Sequence, residues 1–106
     1  MRGDVHRVRA PADARGHEQR EDRFAVVVLA SRFDHLSTWL VVPTSTRANT
    51  YVFRPEIEVP GHGPTLALCD ALTAVDPQAR LGEHVGYLTL GELQRIDEAL
   101  TGLLDL

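Results

Sequence analysis

The chain has 106 residues, a formal net charge of −4, 43% hydrophobic residues and 25% charged residues. A chain of this length is expected to form one domain, residues 1–106, and its small core predicts self-association. The single cysteine excludes an intrachain disulfide, and no apolar run approaches the roughly 18 residues that span a membrane, so we expect a cytoplasmic protein without a membrane partner.

Apolar and β-branched runs predict strands in the first half of the chain. The two longest runs suit strands that are buried on both faces or that lie in a barrel. A long polar connection at 10–22 precedes them, and Pro55 indicates an edge or a bulge in the strand around it. The predicted strands are 4–9, 23–30, 38–42, and 51–54 together with 56–59.

The second half of the chain predicts three more strands and one helix. The strands are 65–69, 72–75 and 83–88, and a turn precedes them at 60–64. Thr89 and Glu92 form a capping box that predicts the start of the helix. One apolar face of this helix is expected to pack on the sheet: Leu90, Leu93, Ile96, Leu100, Leu103 and Leu104. The pattern is typical of a mainly β protein with a C-terminal helix, built as a small antiparallel barrel or a strongly curled sheet.

Polar residues at the ends of the predicted strands 23–30 and 38–42 suggest a reactive site. Arg23 opens the first of these strands, and the hydroxyl residues Thr44, Ser45 and Thr46 follow the second. Two neighbouring strands would bring the guanidinium and the hydroxyls to one rim of a sheet, where they could surround a phosphate. The sequence therefore favours phosphodiester chemistry.

Charge is distributed unevenly along the chain. Residues 1–54 carry nine arginines and six acidic residues, whereas residues 55–106 carry two arginines and nine acidic residues. Six of the arginines cluster before position 24, which favours a polyanionic partner. They are Arg2, Arg7, Arg9, Arg15, Arg20 and Arg23.

The sequence resembles the MazF/PemK (Kid) toxins of bacterial toxin–antitoxin modules. The matching segments are Arg2–Val5, Gly16–Gln19, Arg23, Val41–Ser45, Leu68–Asp70, Leu81–Gly82 and Leu88–Leu93. The resemblance implies a homodimeric SH3-like (CcdB/PemK-type) antiparallel barrel that acts as a metal-independent, sequence-specific endoribonuclease. It also implies neutralisation by a cognate antitoxin, which we expect to lie across the basic loop of residues 10–22.

The resemblance also implies roles for individual residues. The catalytic arginine of the family falls on Arg23, followed here by Phe24 instead of proline, and the catalytic hydroxyl falls on Ser45, with Thr44 and Thr46 as the neighbouring alternatives. An Asp-Gln pair of the family appears here as Asp70-Ala71. The residues expected to bind RNA, mainly in single-stranded segments, are Arg15, Glu18, Gln19, Arg20, Thr46, Arg47 and Asp70.

The reaction can be argued from these residues. Metal-free RNA cleavage uses the adjacent 2′-OH as nucleophile, so the protein must align that group and stabilise negative charge on the phosphate. Arg23 suits charge stabilisation because its pKa is too high for a general base. His17 titrates near neutrality and is an acid–base candidate.

No cofactor is expected. The five histidines show no closely spaced pair of metal ligands, so no native metal site is predicted either. They are His6, His17, His35, His62 and His84.

Two other functions stay open. A CcdB-like gyrase poison shares the fold, but it uses a C-terminal Trp-Gly-Ile end, whereas this chain ends Leu104-Asp105-Leu106. A non-catalytic SH3-like RNA- or protein-binding module would follow if the changes at Phe24, Ser45 and Ala71 abolish activity. Cleavage of RNA with metal chelated separates the ribonuclease from both alternatives.

Overall fold

A computed structural model describes residues 1–9 and 23–106, and most of its regular structure is antiparallel β-sheet. This confirms the predicted fold class, a mainly β half-barrel with a C-terminal helix. The elements are β1 (Asp4–Val8), β2 (Phe24–Val27), β3 (Trp39–Ser45), β4 (Glu56–Val59), β5 (Gly63–Ala67), β6 (Thr73–Val75), α1 (Pro77–Arg80), β7 (Leu81–Tyr87) and α2 (Leu90–Leu104). Short 3-10 turns lie at Ser31–Phe33 and Cys69–Ala71.

Strand β3 is the centre of the sheet. The strand order is β4-β5-β3-β2-β1-β7, and β6 also pairs with β3. One edge of β3 pairs with β2. The other edge is shared, because Trp39–Val41 pair with β6 while Thr44 and Ser45 pair with β5. This branching curls the sheet around its core.

Both faces of β2 are buried, which explains its unbroken apolar sequence. Phe24 and Val26 contribute to one hydrophobic cluster, and Ala25 and Val27 contribute to a second cluster on the opposite face. Helix α2 joins the first cluster through Ile96, whose side chain is fully buried. Alternation along the strand therefore sends neighbouring side chains into two different cores.

Strand β7 packs closely against the turn that follows β4. Gly86 lies against Pro60, and a Cβ atom at Gly86 would stand 2.6 Å from Pro60 Cγ and 2.8 Å from Pro60 Cβ. Gly86 also has a φ of +150°. Only glycine allows this close approach without displacing the turn.

Helix α2 begins at the capping box predicted from the sequence. The Glu92 backbone N–H donates to Thr89 Oγ1 at 3.2 Å, and the Thr89 N–H donates to Glu92 Oε1 at 2.9 Å. The other carboxylate oxygen of Glu92 accepts the N–H of Glu58 at 2.6 Å, and the Arg95 guanidinium donates to the carbonyl of Glu56 at 2.8 Å. Side chains of α2 therefore satisfy the free edge of β4.

Three predictions about the elements were wrong. The segment 51–54 forms a turn instead of a strand. The short helix α1 was missed, although Asp76 caps it by accepting the N–H of Gln78 at 2.9 Å and Pro77 occupies its first turn. Pro60–His62 form the turn, but Gly63 and Pro64 belong to β5.

The packing of α2 also differs from the prediction. Ile96, Ala99 and Leu100 pack on the sheet, whereas Leu90, Leu103 and Leu104 are exposed. Leu90 is the first residue of the helix. Leu103 and Leu104 are exposed because the core ends before the last turn, where an open groove of about 880 Å³ separates α2 from the segment 52–56. Among residues 1–9 and 23–106, no helix is long and apolar enough to cross a membrane.

Candidate nucleic-acid cleavage site

The start of β2 and the end of β3 lie side by side, and we call these residues, 23–24 and 43–46, the strand-end rim. Ala25 pairs with Pro43 in the antiparallel register of the two strands. Continuing that register places Arg23 opposite Ser45, and strand alternation directs both side chains to the same face of the sheet. The predicted meeting of a guanidinium and a hydroxyl at one rim rests on this continuation of the register and stays a prediction.

The backbone of the strand-end rim is fixed on both sides. The carbonyl of Arg23 accepts the N–H of Val8 at 2.9 Å, so β1 holds the start of β2. The carbonyl of Pro43 accepts the N–H of Leu68 at 2.8 Å, so the chain after β5 holds the end of β3. Catalytic groups supported in this way need little rearrangement to meet a substrate.

The two candidate hydroxyls have different hydrogen bonds. Thr44 Oγ1 donates its proton to the carbonyl of Phe24 at 3.1 Å, which ties the two strands together. Ser45 Oγ accepts the backbone N–H groups of Arg47 and Ala48, each at 3.1 Å. Both bonds use the oxygen of Ser45 as acceptor, so its proton is left to donate. This difference favours Ser45 over Thr44 as a hydrogen-bond donor to phosphate.

Phe24 is the residue of the strand-end rim that belongs to the hydrophobic core. Its ring is buried, and the guanidinium of Arg7 and the ring of His62 lie 5.2 Å and 4.7 Å from its centroid. Arg7 also forms an ion pair with Glu83 at 3.5 Å. Phe24 is therefore a core residue, and Trp39 packs against the second hydrophobic cluster while its Nε1–H donates to the carbonyl of Asp34 at 3.1 Å.

Asp70 is bound by an arginine of its own chain. Arg54 Nε and Nη2 donate to its two carboxylate oxygens at 3.0 Å and 2.8 Å. The hydrogen bond from Arg54 lowers the pKa of Asp70, despite an opposing effect of desolvation. The fork geometry fixes both partners more tightly than a single contact would.

Sequence reasoning missed the cluster around Arg54. The rings of Tyr51 and Phe53 stack with their centroids 5.1 Å apart and their planes 8° apart, and the Arg54 guanidinium carbon lies 4.7 Å and 5.8 Å from the two centroids. Two aromatic residues and an arginine within four positions are a readable signal. The sequence analysis did not recognise this cluster because Tyr51 and Phe53 also favour strands.

The other residues predicted at the site are exposed, lie outside the described residues, or make contacts that stabilise the fold. Thr46 and Arg47 are exposed beside Ser45. His17 and four predicted RNA-binding residues lie outside the described residues, so the structure leaves those assignments as predictions; the four are Arg15, Glu18, Gln19 and Arg20. Part of the basic cluster serves the fold, because Arg2 pairs with Asp97 and Arg9 donates to the carbonyl of Gln78 at 3.1 Å.

Cys69 is a buried free thiol in the first hydrophobic cluster. Burial raises the pKa of its thiol to about 11, and the nearby Asp70 and Asp97 carboxylates add to the effect. A thiol with such a pKa is protonated at neutral pH and is a weak nucleophile. In the described part of the chain, no three histidine, cysteine, aspartate or glutamate side chains stand close enough to hold a metal ion.

Comparison with known proteins shows the family of this chain. The family model of PemK-like, MazF-like toxins of type II toxin–antitoxin systems matches residues 1–104. The candidate toxin Rv3098A of Mycobacterium tuberculosis (strain ATCC 25618 / H37Rv) is 39% identical over 106 residues, which are 100% of this chain and 98% of that protein.

Solved structures show the same fold at lower identity. The Mycobacterium tuberculosis toxin MazF-mt6 has a TM-score of 0.77 and 20% identity, with 97% of each chain covered. An endoribonuclease in complex with its cognate antitoxin, from a mycobacterial species, also has a TM-score of 0.77 and 20% identity, covering 100% of this chain and 95% of that chain. These likenesses support the half-barrel with its C-terminal helix.

Proposed function

This chain belongs to the PemK-like, MazF-like toxins of type II toxin–antitoxin systems, and on that premise we propose that it is an endoribonuclease that cleaves single-stranded RNA in the cytoplasm without a metal ion. The observation that carries this proposal is the antiparallel register of β2 and β3, whose continuation by two residues sets Arg23 opposite Ser45 at the strand-end rim. A cation and a hydroxyl donor on adjacent strands can surround one phosphate.

The proposed reaction follows from the roles these two groups can take. The 2′-oxygen of the RNA attacks phosphorus, the bond to the 5′-oxygen breaks, and the products are a 2′,3′-cyclic phosphate and a 5′-hydroxyl. Arg23 stabilises the negative charge that develops on the phosphate oxygens, because its guanidinium stays protonated throughout. Ser45 donates a hydrogen bond to a non-bridging oxygen. His17 remains the candidate to accept or supply a proton.

The proposal includes two protein partners. A cognate antitoxin fits the family and is supported by a relative of the same fold that was solved in complex with its antitoxin. A homodimer is supported by the apolar surface on and beside the C-terminal half of α2, where Leu103 and Val52 are exposed. An antitoxin across the basic loop of residues 10–22 would compete with RNA for the same arginines.

Cleavage of a random-sequence single-stranded RNA pool in the presence of EDTA tests the proposal. We expect fragments with 5′-hydroxyl ends, and we expect Arg23→Ala to lower the rate at least about 100-fold because one charge-stabilising group is lost. Arg23→Lys should also fail, since a point charge does not reproduce the planar fork. Arg32→Ala is the matched control, because Arg32 is an exposed arginine in the 3-10 turn beyond the other end of β2.

Three results would contradict the proposal. An inactive wild-type protein that still binds RNA would indicate a non-catalytic RNA-binding module. Fragments with 5′-phosphate ends would exclude attack by the 2′-OH. Wild-type turnover by Arg23→Lys would remove the guanidinium from the mechanism.

A further inference from the structure

The stacked rings of Tyr51 and Phe53 form a flat aromatic surface outside the hydrophobic core. Tyr51 is 48% exposed. Phe53 lines the groove beside α2, so it is the inner ring of the pair and Tyr51 is the outer ring. Exposed parallel rings contribute little to the fold of a protein, but they are the kind of surface on which nucleic-acid bases stack.

The outer face of Tyr51 is open to a ligand. The guanidinium carbon of Arg54 lies 4.7 Å from the Tyr51 centroid and 5.8 Å from the Phe53 centroid, and the two ring centroids are 5.1 Å apart. These separations close a nearly equilateral triangle. A guanidinium on the outer face of Tyr51 would lie clearly farther from the Phe53 centroid, because the Tyr51 ring would stand between them. Arg54 therefore flanks the pair and does not cover the outer face of Tyr51, whose side chain is 48% exposed.

Hydrogen bonds hold this surface in place. Arg54 donates to the carboxylate of Asp70 and to the carbonyl of Asn49 at 3.1 Å, and its backbone N–H donates to the carbonyl of Tyr51 at 2.9 Å. The loop is thus fastened at its end, while the bonds to Ser45 Oγ fasten its beginning. A ring that is already fixed loses less conformational entropy when a base stacks on it.

The surface lies close to the strand-end rim. Ala67 pairs with Thr44 on one side, and its N–H donates to the carbonyl of Pro55 on the other. Two strand spacings, about 10 Å, therefore separate Thr44 from Pro55, the residue after Arg54. The connecting loop, 46–54, carries two arginines and no acidic residue; Asp70 offsets the charge of Arg54, so the loop together with Asp70 has a net charge of +1.

We propose that Tyr51 is a base-stacking residue that holds one unpaired RNA base beside the scissile phosphate. The inference rests on the proposed function and deepens it, because it adds a residue that positions the substrate and contributes to the choice of cleavage site. Stacking accepts any base, but larger bases stack more strongly, so Tyr51 selects by ring size.

Binding of 2′-O-methyl RNA tests this proposal separately from cleavage, because such RNA lacks the nucleophile. The probes are four fluorescently labelled single-stranded homopolymers of A, C, G and U. We expect Tyr51→Leu to weaken the binding of the best homopolymer by about 5- to 150-fold. Tyr51→Phe should bind like the wild type, and Tyr51→Trp should bind more tightly, because both keep the ring.

Tyr87→Leu is the matched control, since Tyr87 is an exposed tyrosine on β7 and does not belong to the stacked pair. Equal affinities of wild type, Tyr51→Leu and Tyr51→Trp would overturn the proposal. So would a change of oligomeric state in Tyr51→Leu on size-exclusion chromatography, because the residue would then serve an interface between subunits. If the wild type binds these probes through Tyr51 but does not cleave natural RNA, the proposed function fails while the stacking site stands.

Discussion

Ser45→Ala separates catalysis from stability at the strand-end rim. The substitution removes the hydroxyl that we place on the phosphate, and it also removes the acceptor of the Arg47 and Ala48 N–H groups at 3.1 Å. A neutral hydrogen bond contributes a net free energy of about 0.5–1.5 kcal/mol to stability. Water can replace Ser45 as the acceptor for the exposed N–H of Arg47, so the substitution should lower the free energy of unfolding by about 1 kcal/mol. A small domain has roughly 5–15 kcal/mol of stability, and the variant therefore stays folded at 25 °C.

Any loss of activity in Ser45→Ala then belongs to the chemistry. We expect the initial rate at saturating RNA to fall by about 10- to 10³-fold, the range for one transition-state hydrogen bond. Ser45→Thr keeps the hydroxyl and should retain activity. Thr44→Val is the matched control, because it removes the bond to the Phe24 carbonyl and should lower stability by about 1 kcal/mol while leaving the rate unchanged.

Rates from RNA cleavage and unfolding curves from circular dichroism measure the two effects. An active Ser45→Ala beside an inactive Thr44→Val would refute the reasoning, since the catalytic hydroxyl would then be the one that is bonded to Phe24 in this structure.

Two further predictions concern the fold that supports the site. Gly86→Ala should lower the free energy of unfolding in urea by about 2–4 kcal/mol, because its Cβ would overlap Pro60, whereas Gly82→Ala on the same strand meets nothing closer than 3.5 Å and should change it by less than about 1 kcal/mol; equal losses would contradict the close approach. Burial raises the pKa of Glu92, but hydrogen bonds from the Thr89 and Glu58 backbones outweigh it, so the pKa lies below the ordinary value of 4.5. The stability that Glu92 adds is therefore present above that value and lost as pH falls through the lower folded pKa. The gap in unfolding free energy between wild type and Glu92→Gln should narrow from pH 7 to pH 3, and a constant gap would contradict this.

The sequence predicts the strands of this protein where burial alone decides the structure. The run around Val26 is apolar at every position because both faces of β2 are covered, and that pattern is readable without a structure. The capping box at Thr89 is equally local, since both partners lie within one turn. The neighbouring positions of the start of β2 and the end of β3 are predictable for the same reason, because they depend on where two strong strand signals begin and end.

Long-range contacts decide the elements that the sequence does not predict. Tyr51 and Phe53 favour strands, but Arg54 binds Asp70, which is 16 residues away along the chain, and this bond holds the segment as a turn. The exposed end of α2 has a similar cause. Helical periodicity predicts an apolar face through Leu104, yet periodicity does not tell where the sheet beneath the helix stops.

The loop after β3 links the position of the Ser45 hydroxyl to the orientation of Tyr51, although the sequence would assign these residues to separate motifs. Ser45 precedes this loop, and its Oγ accepts the N–H of Ala48. The next residue, Asn49, accepts a hydrogen bond from Arg54 at the end of the loop, so the two ends are linked. A change at Arg54 would therefore disturb both the orientation of Tyr51 and the turn that positions the Ser45 hydroxyl. Arg23 lies on a different strand, held by β1. Substitutions at Arg23 should then alter the rate alone, whereas substitutions at Arg54 should alter the rate and the preferred cleavage site together.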